Sequence, residues 1–174
     1  MADIATIWQD LDDAVPAQLD TGKGVVRPVS DTPYQYLVSG NLAKAAAHAG
    51  VDAEGLGALA RTDADTYSVR LARDRMLIVA KSEVFERSGY DEAGYAVTPV
   101  HGGMSIIDAD PALAEAIIQR ATSLELTGSG RSAMVEFAGV RGIVYFHGDR
   151  LRVHVDQSHA RYIWTWLREA LGMI

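Results

Sequence analysis

The sequence predicts an α+β fold of two adjacent split βαβ-like (ferredoxin-like) units. Three observations predict it. Short apolar runs of strand length are interleaved with Ala-rich helical segments. The stretches LVSGNLAKAAAHAGV and IIDADPALAEAIIQRA share one order: apolar strand, tight polar turn, Ala-rich helix, then strands. Toward the C-terminus, three apolar runs separated by Gly-containing turns precede a closing helix. Sheets carrying helices on one face belong to the α+β class.

The elements follow in order. Residues 3–15 predict an amphipathic helix, with Ile4, Ile7, Trp8, Leu11 and Val15 on one face and Asp10, Asp12 and Asp13 on the other. Pro16, Gly22, Gly24, Pro28 and Pro33 read as turn and linker. The expected organisation is therefore an N-terminal helix and linker over 1–33, then an α+β domain over 34–174. Its units are expected at about 34–100 and 101–174.

In the first unit, 34–38 reads as a strand and 42–49 as a helix that Gly50 ends. Residues 67–71 and 76–79 read as strands, 82–87 as one or two helical turns, and 95–100 as a strand. In the second, 104–107 is a strand and a helix begins at Pro111, where a missing N–H costs nothing, with Asp110 at the N-cap. Leu113, Ala114, Ile117, Ile118 and Ala121 form its apolar stripe. Residues 133–137, 142–147 and 151–155 predict consecutive antiparallel strands, the last two joined at Gly148-Asp149. A helix capped by Ser158 closes the chain through Leu171.

Composition narrows the function. The 174 residues, 48% hydrophobic and 22% charged, suit one globular domain. A net charge of −7 with scattered arginines argues against a nucleic-acid partner. The absence of cysteine excludes disulfides, a thiolate nucleophile and Cys-ligated metal. The N-terminus has no signal-peptide pattern, and no run approaches the roughly 18–20 apolar residues of a membrane span. The expected location is the cytoplasm, with no membrane partner.

Candidate sites are few. There is no GKS/GKT, HExxH or GxSxG, and Gly128-x-Gly130 follows a helix rather than a strand, the reverse of a dinucleotide turn. Of His48, His101, His147, His154 and His159, three lie near the last hairpin. Their spacing fits no ligand frame, so no metal site is expected. Alternation points His154 away from the core alongside Arg152 and Asp156. Asp108 and Asp110 read as helix-start residues rather than a catalytic pair. No catalytic residue is identified. In the closing helix, Ala160, Ile163, Trp164, Leu167, Ala170 and Leu171 form the core stripe, and Tyr162 and Trp166 lie off it. Trp8, Tyr162 and Trp166 are the expected partner-interface residues, because exposed aromatics are typical interface anchors.

Three stretches carry a family resemblance. LVSGNLAKAAAHAGV with YSVRLARDRMLIVA looks like an opening unit in which Arg75 and Met76 replace the more usual acid and Trp. MSIIDADPALAEAIIQRATSLEL looks like a strand–helix unit whose Leu-Ser-Gly-Pro turn reads Asp108-Ala109-Asp110-Pro111. VHVDQSHARYIWTWLREAL resembles the closing strand and helix, with His159 in place of a Phe. Over about residues 34–172 the chain resembles the gamma subunit of heterotetrameric sarcosine oxidase, whose fold is related to the folate-binding T-protein of the glycine cleavage system. The resemblance implies a small non-catalytic subunit bound to larger flavoprotein subunits. Those would hold FAD, FMN, NAD and tetrahydrofolate and demethylate an N-methylated amine; no cofactor-binding residue is assigned in this chain. The alternatives are a stand-alone folate-binding aminomethyltransferase-like protein and a flavoprotein assembly factor.

Overall fold

Turn chemistry and alternation place most elements where the sequence predicts them. In the computed structural model, which describes residues 17–29, 33–125 and 130–172, the first half holds β1 (Leu19–Asp20), β2 (Val25–Pro28), β3 (Tyr34–Gly40), α1 (Leu42–Ala49), β4 (Arg61–Thr62), β5 (Thr66–Ala72), β6 (Arg75–Ala80), β7 (Gly89–Asp91) and β8 (Tyr95–Pro99). The second half holds β9 (Met104–Ala109), α2 (Pro111–Ala121), β10 (Met134–Phe137), β11 (Val140–His147), β12 (Arg150–Asp156) and α3 (Ala160–Ala170). Asn41 caps α1 by accepting from the Lys44 N–H, and Gly50 ends it in the left-handed conformation (φ 68°) that only glycine adopts without cost.

The strands form two sheets: β5-β6-β3-β8-β7, and β1-β2-β9-β12-β11-β10 with β4 added parallel to β11. In the first, β6 lies antiparallel between β3 and β5, so β3 and β5 run parallel and α1 joins them. In the second, β12 lies likewise between β9 and β11, and α2 stands in the connection. An outer strand then pairs with the first strand of each unit, β8 on β3 and β2 on β9. The pattern shared by the two Ala-rich stretches is a repeat of topology. β10, β11 and β12 are consecutive and antiparallel as predicted.

Four layers result, with α1 outside the five-stranded sheet and α2 and α3 outside the seven-stranded one. Tyr36, Val38, Leu42, Met76 and Ile78 pack the α1 side. Val144, Leu151 and Val153 meet Ile117, Ile118, Ile163, Trp164 and Leu167 on the helical side of the larger sheet. Between the sheets lie Tyr67, Val69, Leu77, Val79, Ile143 and Tyr145.

Several expectations are corrected. The segment read as turn and linker contributes β1 and β2, and β2 pairs with β9 from Val26↔Ala109 to Pro28↔Ile107. Pro28 lies beyond the two β2 residues that pair with β1, on a stretch with one open side, where proline is tolerated. Residues 82–87 form no helix; Ser82 to Arg87 holds too few apolar residues to anchor one turn. Ser158 does not cap α3. Asp156 does the capping, one turn earlier, accepting from the Ser158 N–H (2.9 Å) at a short 3₁₀ turn, Gln157–His159, that leads into the helix. Asp110 occupies the N-cap position of α2 but makes no side-chain cap. Its carboxylate accepts from the Val25 N–H instead (3.0 Å), tying β2 to the helix start. The expected N-terminal helix, with Trp8, lies outside the described residues.

Candidate functional site

Six polar side chains meet between the two sheets. β12 supplies Arg152 and His154, β11 Tyr145, β9 Asp108, β5 Tyr67 and β3 Gln35. All six are buried. Sequence alternation had pointed His154 and Arg152 at solvent. That reading is wrong because the second face of β12 is covered by the other sheet, so both faces of the strand are interior; Asp156, at its end, is exposed.

The bonds form one continuous chain. Arg152 Nε and Nη2 donate to the two carboxylate oxygens of Asp108 at 2.8 and 2.7 Å, the bidentate fork geometry. Arg152 Nη1 donates to the Tyr67 hydroxyl at 3.3 Å. Tyr67 and Tyr145 hydroxyls are 2.7 Å apart, Tyr145 lies 2.7 Å from His154 Nε2, and His154 Nδ1 lies 2.8 Å from Gln35 Oε1.

A neutral imidazole has one donor and one acceptor nitrogen, and the Gln35 carbonyl oxygen beside Nδ1 can only accept; together these set the direction of the chain. Tyr67 accepts from Arg152, and with the Tyr145 proton committed to His154, Tyr67 donates to Tyr145. Tyr145 donates to His154 Nε2, so the imidazole carries its proton on Nδ1 and gives it to Gln35 Oε1. Each hydroxyl accepts one bond and donates one, and each ring nitrogen makes one. What is left over is Gln35 Nε2, buried with no partner.

Burial is the largest influence on the His154, Tyr145 and Tyr67 protonation states. Burial first, and the Arg152 charge second, lower the His154 pKa from 6.5 to about 3, keeping the ring neutral. Burial and the neighbouring Tyr67 push Tyr145 well above its ordinary value. Burial raises Tyr67 as well, against the opposing pull of Arg152. Burial is the largest single influence on Arg152 and works to lower it, but the Asp108 hydrogen bonds together with the Tyr67, Asp108 and Tyr145 charges outweigh it, and the guanidinium is held more firmly charged than normal. With both imidazole nitrogens engaged, His154 offers no lone pair to a metal or a substrate proton. The arrangement is a polar clamp between sheets, and Asp108 belongs to it as the buried partner of Arg152 rather than as a helix-start residue.

The other candidates stay apart from this cluster. His147 is set 3.2 Å from the Ala64 carbonyl, and His159 is exposed at the 3₁₀ turn. Among the described residues no group of three or more His, Asp or Glu side chains is placed to hold a metal, and no helix is long and apolar enough to cross a membrane. The two α3 aromatics differ from each other. Tyr162 is 48% exposed, with its hydroxyl donating to the Ala138 carbonyl at 2.7 Å over the β10–β11 turn. Trp166 is half-buried, its ring edge-on to Phe137 at 5.9 Å. Ala160, Ile163, Trp164 and Leu167 are buried as the stripe predicts.

No protein-family model and no curated protein matches the chain. The fold, however, has a solved counterpart. It is similar to a chain of the heterotetrameric sarcosine oxidase from Corynebacterium sp. U-96, a structure determined in complex with pyrrole 2-carboxylate. The TM-score is 0.68 at 16% sequence identity, and the match covers 97% of this chain and 93% of that one. Coverage that high on both sides means the two chains are of similar length. The resemblance to sarcosine oxidase seen in the sequence therefore holds at the level of fold.

Proposed function

We propose that this chain is a small, non-catalytic subunit of a heteromeric amine oxidase or demethylase complex resembling sarcosine oxidase. The observation that carries the reading is the near end-to-end likeness to a chain taken from a heterotetramer. The closed polar cluster supports it: its six members are buried and bonded to one another, so the cluster itself presents no free group to a substrate. In this reading FAD, FMN, NAD and tetrahydrofolate belong to larger partner subunits, and Trp8, Tyr162 and Trp166 face those partners. The two units read as variants of the ferredoxin-like plan. One lacks its second helix, and the other takes its fourth strand from the N-terminal side. Paired units of that kind are what a T-protein-like ancestry implies.

Native purification of the full chain from its own cells tests this. The expected result is co-elution with larger chains that carry flavin absorbance, and amine oxidation only by the assembly. A chain that elutes alone, or that oxidises an N-methylated amine without other polypeptides, overturns the proposal.

A further inference from the structure

The two units differ after their hairpins. The β11–β12 hairpin is followed by α3, which packs on the outer face of its sheet. The β5–β6 hairpin is followed by irregular chain, and among the described residues 82–88 make no backbone–backbone hydrogen bonds. In the corresponding place lies an open groove of about 860 Å³. Its floor is Phe85, Tyr95 and Val97, with His48 stacked on Phe85 at 5.1 Å. Beneath the groove wall the Tyr36 hydroxyl is buried facing the Val84 and Phe85 backbone. Four exposed acids, Glu83, Glu86, Asp91 and Glu92, rim the groove against a single cation, Arg87.

One wall is β7, the last strand of the five-stranded sheet, paired only to β8. All three of its residues are exposed, and Tyr90 is 79% exposed. A terminal strand offers unpaired N–H and C=O groups to another chain. An exposed tyrosine beside it supplies a rigid aromatic anchor.

We propose that this groove is a docking face for a lysine- or arginine-rich segment of a partner protein. The acidic rim selects the charge, the open edge of β7 admits extended backbone, and Tyr90 packs on the incoming chain. The same rim repels nucleic acid. Because α1 and α3 lie on opposite outer layers, a subunit docked through both Tyr162–Trp166 and this groove would bridge two neighbours. The groove itself is argued from this chain alone, so its test does not require the complex to exist.

Titration of the full-length chain with a fluorescein-labelled Lys/Arg hexapeptide, and with an all-Glu hexapeptide as control, reads the groove directly. The triple variant E83Q/E86Q/E92Q is expected to weaken the basic peptide about tenfold or more. A triple variant of equal charge on the other sheet's side, E115Q/E136Q/E169Q, is expected to leave it within about twofold. Tyr90→Ala is expected to weaken it by about threefold or more, at unchanged thermal stability. Equal losses in both triples would mean diffuse charge attraction and overturn the proposal. So would no binding of the basic peptide, or free arginine binding as tightly as the peptide, which would mark a small-cation site.

Discussion

The two faces of the seven-stranded sheet hold the molecule together by different means. On the helical face, Val144, Leu151 and Val153 meet the apolar stripes of α2 and α3, and among the described residues the polar ties lie at the helix ends and the β10–β11 turn. On the inner face, one strand position away along β12, Arg152 and His154 join a hydrogen-bonded chain to the other sheet. Apolar packing tolerates substitution in proportion to lost volume, whereas a buried polar chain fails abruptly when one member leaves its partner uncompensated. The inner face is therefore the more specific and the more brittle of the two.

The largest expected effect tests that brittleness. Arg152→Met leaves Asp108 buried and unpaired, and should cost about 3–5 kcal/mol in chemical denaturation. The double variant Asp108→Leu/Arg152→Met should recover most of that loss. If the double variant is as unstable as the single one, the cluster is not a closed charge pair. On the apolar face, Ile163→Ala should cost about 2–5 kcal/mol, and the loss should be the same at pH 7 and pH 5.

Acid should separate the faces further. Unfolded, His154 takes up a proton near 6.5, while in the fold it stays neutral down to about 3. Between those values the unfolded chain binds more protons, so stability falls as pH falls, by up to about 1.4 kcal/mol per unit. His154→Gln should flatten that slope, as seen in denaturation midpoints across the window; an unchanged slope assigns the acid sensitivity to other groups.

The two α3 aromatics give smaller and more diagnostic effects. Trp166→Ala removes the contact with Phe137 and should lower the free chain's stability by roughly 1–2 kcal/mol, less than a fully buried Trp. Tyr162→Phe loses one exposed-side hydrogen bond and should change it by about 0.5–1 kcal/mol. If Tyr162→Ala weakens assembly while leaving the free chain's melting unaltered, Tyr162 is the interface residue and Trp166 chiefly a core one. Matching losses in both assays would place both in the internal core.

Local chemistry was enough to read much of this protein from its sequence. Asn41 and Gly50 bracket α1, Pro111 opens α2, and Gly148-Asp149 turns β11 into β12 with His147↔Arg150 as the closing pair. The shared strand–helix–hairpin order announced two units, because each depends on contacts within a few dozen residues. The buried polar cluster was not legible in the same way. Arg152 and His154 alternate with Val153 and Val155, and alternation says only that two faces differ, not that the polar one meets water. Gln35 and His154 are 119 positions apart, and Tyr67 and Arg152 are 85 apart. Nothing local couples them; the burial of both faces of β12 arises only when the second sheet closes over it. The same holds for β2, whose Val25–Pro28 reads as linker until β9 provides an edge to pair with. Sequence by itself determined the three described helices, the longer strands and their repeat, through turns, caps and periodicity. Tertiary structure alone decided which polar residues became interior, because desolvation depends on what packs against a strand and not on the strand.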